Sequence, residues 1–110
     1  MSEKYCVSVT LREDLRILGY AEKSIAEIVT QSFVSLEEAS CAVETWLAAN
    51  TIYGALAAGD TIYRRFEERD GRPVSMDWVL VHFDNDEPQL TAVVYVAPCA
   101  THEQLNSTHW

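Results

Sequence analysis

The chain has 110 residues, with 17 acidic and eight basic side chains and a formal net charge of -9 at pH 7. This length fits one domain with one core, and a hydrophobic content of 48% excludes the composition of a disordered chain. The negative charge opposes phosphate backbones and anionic lipid headgroups. We therefore expect no direct nucleic-acid binding and no membrane binding.

The cysteines are widely spaced, at Cys6, Cys41 and Cys99, and form no Cys-x-x-Cys pair. This pattern argues against a disulfide framework and a closed zinc site, and it favours a reducing compartment. Residues 1–5 are polar and precede no apolar signal core, and no run approaches about 18 consecutive apolar residues. We therefore expect a cytoplasmic protein.

The start of the chain predicts a strand followed by a short helix. Apolar and polar residues alternate over residues 5–10, which is the period of a half-buried strand. Thr10 and Glu13 have the spacing of a capping box, in which a hydroxyl and a carboxylate satisfy backbone N–H groups at a helix start. A helix is therefore predicted from Leu11, with Gly19 ending it.

Two further helices are predicted from apolar residues at helical spacing. The first covers residues 21–33, where apolar residues recur at offsets of three, four and eight. Ser35 and Glu38 repeat the capping-box spacing ahead of another apolar stripe over residues 36–47. We expect this third helix to continue through residues 52–58.

The pattern changes to strands from Thr61 onwards. The pair Asp70-Gly71 suits the tight turn of a hairpin, and side chains alternate over residues 62–67. The alternative is a helix over residues 61–70, with Asp60 as its N-cap. The alternation favours the hairpin.

The last two predicted strands are the most apolar part of the chain. Residues 78–83 and 90–96 are rich in β-branched and aromatic side chains, which predicts central strands. Residues 84–89 between them have the composition of a turn.

This order of elements predicts an α+β fold. We expect a two-layer domain with an N-terminal strand, two or three helices, and then an antiparallel sheet of three to four hairpin-connected strands. The domain would span residues 1–99, and residues 100–110 would form a flexible polar tail. Because both faces of the central strands are apolar, a homodimer through the open face of the sheet is a further hypothesis.

No pattern in the sequence predicts catalysis. Gly-x-Ser-x-Gly, a glycine-rich phosphate loop and His-Glu-x-x-His are all missing from the chain. Cys99 and His102 could supply two metal ligands, but no second pair completes a zinc site. Adjacent carboxylates such as Glu37 and Glu38 would point about 100° apart on a helix, so they would share no site. We expect a non-enzyme with no catalytic residue, no metal and no cofactor.

Negative charge is concentrated at the end of the chain, because no Lys or Arg follows Arg72. Acidic residues there and on the helix faces could form a rigid negative surface that steers a basic protein partner. The residues that we expect to bind this partner are Asp84, Asp86, Glu87, Asp77, Glu37 and Glu44. Toxin-immunity proteins and phage inhibitors that imitate nucleic acid provide an analogy at the level of class. The leading hypothesis is therefore an inhibitor or regulator of a basic, for example a nucleic-acid-binding, protein.

Two other classes of function stay open. One is a small-molecule binder or enzyme whose pocket lies between the third helix and the sheet. The residues expected to line that pocket are Trp46, Trp78, His82 and Tyr95. The other is a structural subunit that assembles through sheet pairing.

One basic cluster runs against the general charge, since four arginines lie within residues 64–72 among acidic neighbours. We interpret the cluster as cross-strand ion pairs that stabilise a hairpin. The alternative is a contact with an anion or an acidic protein, which would also allow head-to-tail self-association.

Overall fold

A computed structural model of the protein describes residues 4–19, 22–50 and 61–99. The five strands in these ranges form one antiparallel sheet with the order β2-β1-β5-β4-β3. The predicted α+β fold with an antiparallel sheet is confirmed. The elements are β1 (Tyr5–Leu11), α1 (Glu13–Ile17), α2 (Glu22–Val29), β2 (Ser32–Phe33), α3 (Leu36–Asn50), β3 (Thr61–Arg69), β4 (Arg72–Asp84) and β5 (Glu87–Pro98).

The core lies between the sheet and the two longer helices, α2 and α3. Alternate residues of β1, β5 and β4 face these helices, because side chains alternate between the two faces of a strand. Trp78 in β4 is 0% exposed and sits beside Val94 of β5. Ile28 of α2 and Val43 of α3 pack into the same cluster. None of the helices in the described ranges has the length and apolar character that a membrane crossing requires.

The N-terminus of α3 has the predicted cap. The backbone N–H of Glu38 donates to the Ser35 hydroxyl over 3.1 Å. This bond satisfies one of the backbone donors that have no partner inside a helix. α3 begins at Leu36, as the spacing predicts.

Ser35→Ala is expected to lower the free energy of unfolding by about 1 kcal/mol, because it removes this cap. Urea unfolding followed by circular dichroism measures the change. Ser35→Asp is the matched variant, since aspartate caps as well as serine and should retain the stability of the natural chain. Equal losses in both variants would contradict a capping role.

The predicted capping box at Thr10 is wrong. Leu11 still belongs to β1, where it pairs with Ala92 of β5, and α1 begins only at Glu13. Arg12 occupies the N-cap without a side-chain cap, and its N–H donates to the Thr91 carbonyl over 2.9 Å. Ladder bonds to β5 therefore extend the strand through the position where local spacing placed a helix.

The predicted extent of the second helix is also wrong at its end. α2 stops at Val29, and Phe33 pairs with Tyr5 in the short strand β2. Phe33 enters the core from this strand. An apolar residue at helical spacing was thus buried by sheet pairing instead.

The hairpin prediction for residues 61–70 is confirmed, and the helical alternative is excluded. β3 and β4 are joined by Asp70 and Gly71, which have φ angles of 54° and 75°. The second hairpin, β4–β5, turns at Asn85 and Asp86, which also have positive φ, at 51° and 67°. Two successive residues with positive φ are typical of two-residue hairpin turns.

The cysteine spacing disfavours a disulfide, and this prediction is wrong. Cys6 and Cys99 are bonded, with their Cα atoms 5.0 Å apart, although they are 93 residues apart in sequence. β1 and β5 are neighbours in the sheet, and Cys6 lies opposite Ala97. The fold thus brings together two cysteines whose sequence spacing carries no signal of pairing. The remaining cysteine, Cys41, is free and exposed.

Some predictions fall outside the residues that the structure describes. These are the continuation of the third helix over residues 52–58, the N-cap at Asp60, the polar tail over residues 100–110 and the ligand role of His102.

Candidate functional site

The face of the sheet opposite to the helices carries apolar and aromatic side chains. Tyr63, Val79 and Val93 are cross-strand neighbours in one row over β3, β4 and β5. They alternate with core residues such as Trp78, so they point away from the helices. Tyr63 is 49% exposed. We call the surface formed by Tyr63, Val79, Phe83, Leu90, Val93 and Tyr95 the open face.

The open face continues onto the end of the β4–β5 hairpin. Phe83 is 44% exposed and Leu90 is 51% exposed. Val81 and Phe83 follow Val79 at intervals of two residues along β4, so they lie on the same face of the sheet as Val79. Leu90 of β5 pairs with Val81 and therefore also belongs to the open face. Two large apolar side chains are therefore accessible beside the turn of this hairpin.

The same hairpin ends in three carboxylates, which we call the acidic tip: Asp84, Asp86 and Glu87. Asp84 and Glu87 pair at the end of the ladder, with Asn85 and Asp86 in the turn between them. Asp86 and Glu87 are exposed. Neither belongs to an ion pair among the residues that the structure covers. Asp86 and Glu87 thus add negative charge that has no ion-pair partner among the described residues, next to accessible apolar side chains.

Asp77 was expected to bind a partner, but in the structure it binds an arginine of its own chain. Arg65 donates to both carboxylate oxygens of Asp77, over 3.0 and 2.8 Å. These hydrogen bonds, with the charge of Asp77, raise the pKa of the Arg65 guanidinium. The pair lines an open groove of about 320 Å³ on this side of the sheet, together with Ser75 and Tyr95. Asp77 therefore contributes no net negative charge to the surface.

Glu44 was expected on an outer helix face, and this prediction is wrong. Its carboxylate accepts hydrogen bonds from both Arg64 Nε and Arg64 Nη2, the second over 2.7 Å. The Trp78 indole N–H also donates to Glu44, over 2.8 Å. The Arg64 hydrogen bonds lower the pKa of Glu44, the Trp78 bond lowers it further, and partial burial opposes both. Glu44 connects α3 to the sheet and is already satisfied within the chain.

Glu37 is exposed, but it lies far from the acidic tip. It belongs to the first turn of α3, which follows β2. β2 pairs with Tyr5 and Cys6, at the end of the sheet where β5 finishes. The acidic tip is at the opposite end, where β5 begins. The six expected binding residues therefore do not form one patch, and only the acidic tip remains as a cluster.

The four residues expected to line a pocket are not brought together. Trp46 and Trp78 fill the core between α3 and the sheet, and Trp46 Nε1 donates to the Ser24 carbonyl over 2.8 Å. Tyr95 belongs to the opposite face of the sheet, because it pairs with Asp77. His82 is exposed near the acidic tip, where it pairs with Gln89. Within the described part of the chain these side chains line no common pocket.

Among residues 4–19, 22–50 and 61–99, no group of three or more His, Cys, Asp or Glu side chains is placed to hold a metal ion. Comparison of the chain with protein-family models, with curated proteins and with solved structures finds no match. The protein is thus an α+β protein whose sheet has the described helices on one face only. The arrangement best suited to recognition is the acidic tip with Phe83 and Leu90.

Proposed function

We propose that the protein is a non-enzymatic binding module that inhibits or regulates a basic protein. The observation that carries the proposal is the juxtaposition of the acidic tip with Phe83 and Leu90 on one hairpin. Asp86 and Glu87 are exposed and unpaired among the described residues, and both apolar side chains are accessible beside them. Charge and apolar area are thus presented together at one end of the molecule.

The two components would contribute differently to binding. Carboxylates at the edge of an interface steer a cationic partner and raise the association rate. Aromatic and aliphatic side chains at its centre lose their contact with water and supply most of the affinity. Phe83 and Leu90 are the anchors in this proposal, and the acidic tip provides the steering charge.

The backbone of the hairpin is paired up to its turn without a partner. Its strands pair from Met76 with Val96 to Asp84 with Glu87, and the turn has two residues. A preformed element loses little conformational entropy on binding, which favours affinity. This paired geometry suits an inhibitor that occupies a groove of its target.

The compartment is part of the proposal, and the expected reducing cytoplasm does not agree with the state of the cysteines. The disulfide between Cys6 and Cys99 is instead typical of oxidising compartments. Alkylation of thiols in intact cells before lysis shows which state the protein has at its site of action.

The proposal is tested by neutralising the acidic tip with the triple variant Asp84→Asn, Asp86→Asn and Glu87→Gln. Immobilised natural chain should retain a basic protein from extract of the source cell at low salt and release it as the salt concentration rises. The triple variant should retain at least about tenfold less, since each lost charge pair weakens steering and affinity. Mass spectrometry identifies the retained protein, and titration with the purified protein measures the change in affinity.

The matched control changes three other exposed carboxylates, in the variant Glu22→Gln, Glu27→Gln and Glu37→Gln. It has the same net charge as the tip variant but leaves the hairpin intact, so it should bind the partner as the natural chain does. Equal binding by the tip variant and the natural chain would refute the proposal. An equal loss in both triple variants would show that only net charge matters.

A small-molecule or enzymatic role remains an alternative hypothesis. Its place would be the groove beside Arg65, Asp77 and Tyr95 rather than the filled interface between α3 and the sheet. A ligand-induced rise in melting temperature that Tyr95→Ala removes would favour it.

A further inference from the structure

β3 forms one edge of the sheet, and no other strand within residues 4–19, 22–50 and 61–99 pairs with its outer side. It is nine residues long and bonds to β4 alone among the described strands. None of the other backbone hydrogen bonds between described residues involves β3. A long unpaired edge presents a row of free N–H and C=O groups that can template another strand.

The hairpin geometry shows which residues of β3 direct their backbone groups outward. Arg69 and Arg72 flank the two-residue turn, so they exchange hydrogen bonds across the hairpin. Bonding direction alternates along a strand, so Glu68, Phe66 and Arg64 direct their N–H and C=O groups to the free edge. Pro73 lies opposite Glu68 and has no N–H to donate. This agrees with the assignment, because Glu68 and Pro73 then form a pair that exchanges no ladder hydrogen bonds.

The irregular register between β3 and β4 does not change the alternation of bonding direction along β3. The pairing shifts between Glu67 and Glu68, where the extra residue, Val74, lies on β4. β3 itself therefore continues without a bulge across its outward-facing positions.

The side chains of β3 are self-complementary about Phe66. Residues 64–68 read Arg-Arg-Phe-Glu-Glu, so reversing the direction of the segment exchanges its positive and negative ends. In an antiparallel pair of two copies centred on Phe66, Arg64 lies opposite the partner's Glu68 and Arg65 lies opposite the partner's Glu67. Phe66, which is 61% exposed, meets its own copy at the two-fold axis.

Neighbouring registers lack this complementarity. Centring the pair on Arg65 places two arginines directly opposite each other, and centring it on Glu67 places two glutamates opposite each other. Like charges in direct cross-strand contact destabilise a sheet. Only the register centred on Phe66 combines outward-facing backbone groups with opposite charges on both sides.

We propose that a second copy of this chain binds the free edge of β3, which forms a homodimer with one continuous ten-stranded antiparallel sheet, twice the five strands of one chain. Arg64 and Arg65 can join this interface without breaking their intrachain pairs. Each binds its own carboxylate through Nε and Nη2, which leaves Nη1 for the partner's glutamate. Glu68 is exposed and is in no ion pair among the described residues.

Disulfide cross-linking tests the register directly. In a Cys41→Ser background, Phe66→Cys places two thiols at a hydrogen-bonded pair, where Cα atoms are about 5.5 Å apart, within disulfide range. Mild oxidation should then give a covalent dimer on a non-reducing gel. Tyr63→Cys is the matched control, because its two copies would be separated by six residues along the strands, about 20 Å. It should remain monomeric on the gel.

Charge reversal tests the interface without a cross-link. Glu67→Lys with Glu68→Lys places like charges opposite each other on both sides of Phe66, and should weaken self-association at least about tenfold in sedimentation equilibrium. Glu37→Lys with Glu38→Lys makes the same change in an exposed adjacent pair on α3 and should associate as the natural chain does. Circular dichroism verifies that both variants fold.

Three outcomes would overturn the proposal. The first is a natural chain that stays monomeric up to about 1 mM. The second is equal cross-linking of the Phe66→Cys and Tyr63→Cys variants, which would indicate random collision. The third is an equal effect of the two charge reversals on association.

Discussion

Trp78→Ala is expected to lower the free energy of unfolding by about 3–5 kcal/mol. Trp78 is fully buried in the core between the sheet and the helices, so the substitution removes a large apolar contact and leaves a cavity. It also removes the indole N–H that donates to Glu44. Because small domains are stable by only about 5–15 kcal/mol, the loss is a large fraction of the total. Urea unfolding followed by circular dichroism measures it.

Two further variants test whether the burial of Trp78 causes this loss. Trp78→Phe retains an aromatic ring but lacks the N–H, so it should lie between alanine and the natural chain. Tyr63→Ala removes an aromatic side chain from the same sheet at a position that is 49% exposed, and it should cost much less. Similar losses for Trp78→Ala and Tyr63→Ala would contradict the burial of Trp78.

Removal of the Cys6–Cys99 disulfide, by Cys6→Ser with Cys99→Ser, is expected to lower the free energy of unfolding by about 2–4 kcal/mol. The bond spans 93 residues, and a long closed loop restricts the unfolded chain strongly. Addition of a thiol reductant to the natural chain should produce the same loss. Cys41→Ser is the matched control, since this exposed thiol closes no loop.

Thiol titration under denaturing conditions tests whether the disulfide forms, and Cys41→Ser tests for a general effect of serine. Without reductant, the unfolded natural chain should titrate as one thiol, that of Cys41. Three titratable thiols would show that the bond does not form. A Cys41→Ser loss equal to that of the double variant would show that the closed loop is not the cause.

Elements with local signals could be predicted from the sequence. Asp70 and Gly71 specify a turn by their tolerance of positive φ, and Ser35 specifies a helix start by its hydroxyl. Thr10 has a similar local signal, but β1 continues through it, because β1 pairs with β5 near the other end of the chain. The disulfide depends on the same distant pairing. Local spacing contains no information on which strands become neighbours.

The candidate site could be predicted only in part, for the same reason. The acidic tip follows from the composition of a turn between two strands. The neutralisation of Asp77 depends on the β3–β4 register, which places Arg65 opposite it. The role of Glu44 depends on the rotation of α3 relative to the sheet, which brings its carboxylate to Arg64 and Trp78.

Phe83 and Leu90 belong to apolar runs of the sequence, yet both are accessible. Apolar runs over residues 78–83 and 90–96 predict buried strands, but burial also requires a layer that covers them. Residues 82, 83 and 87–90 are exposed, so this part of the hairpin lacks such cover within the described structure. The sequence thus specifies the strands, whereas accessibility depends on which face of the sheet the helices cover.

The adjacency of β1 and β5 also makes the architecture suitable for circular permutation. Cys99 N–H donates to the Lys4 carbonyl over 2.8 Å, so a few added residues could join positions 99 and 4 by a covalent loop. The chain could then be opened at Asp70-Gly71, in the exposed turn between β3 and β4. Such a rearranged polypeptide would retain every strand neighbour of the sheet while placing its new ends at the tip of that turn. A fluorescent or affinity tag fused there would lie at the end of the sheet remote from the β4–β5 turn.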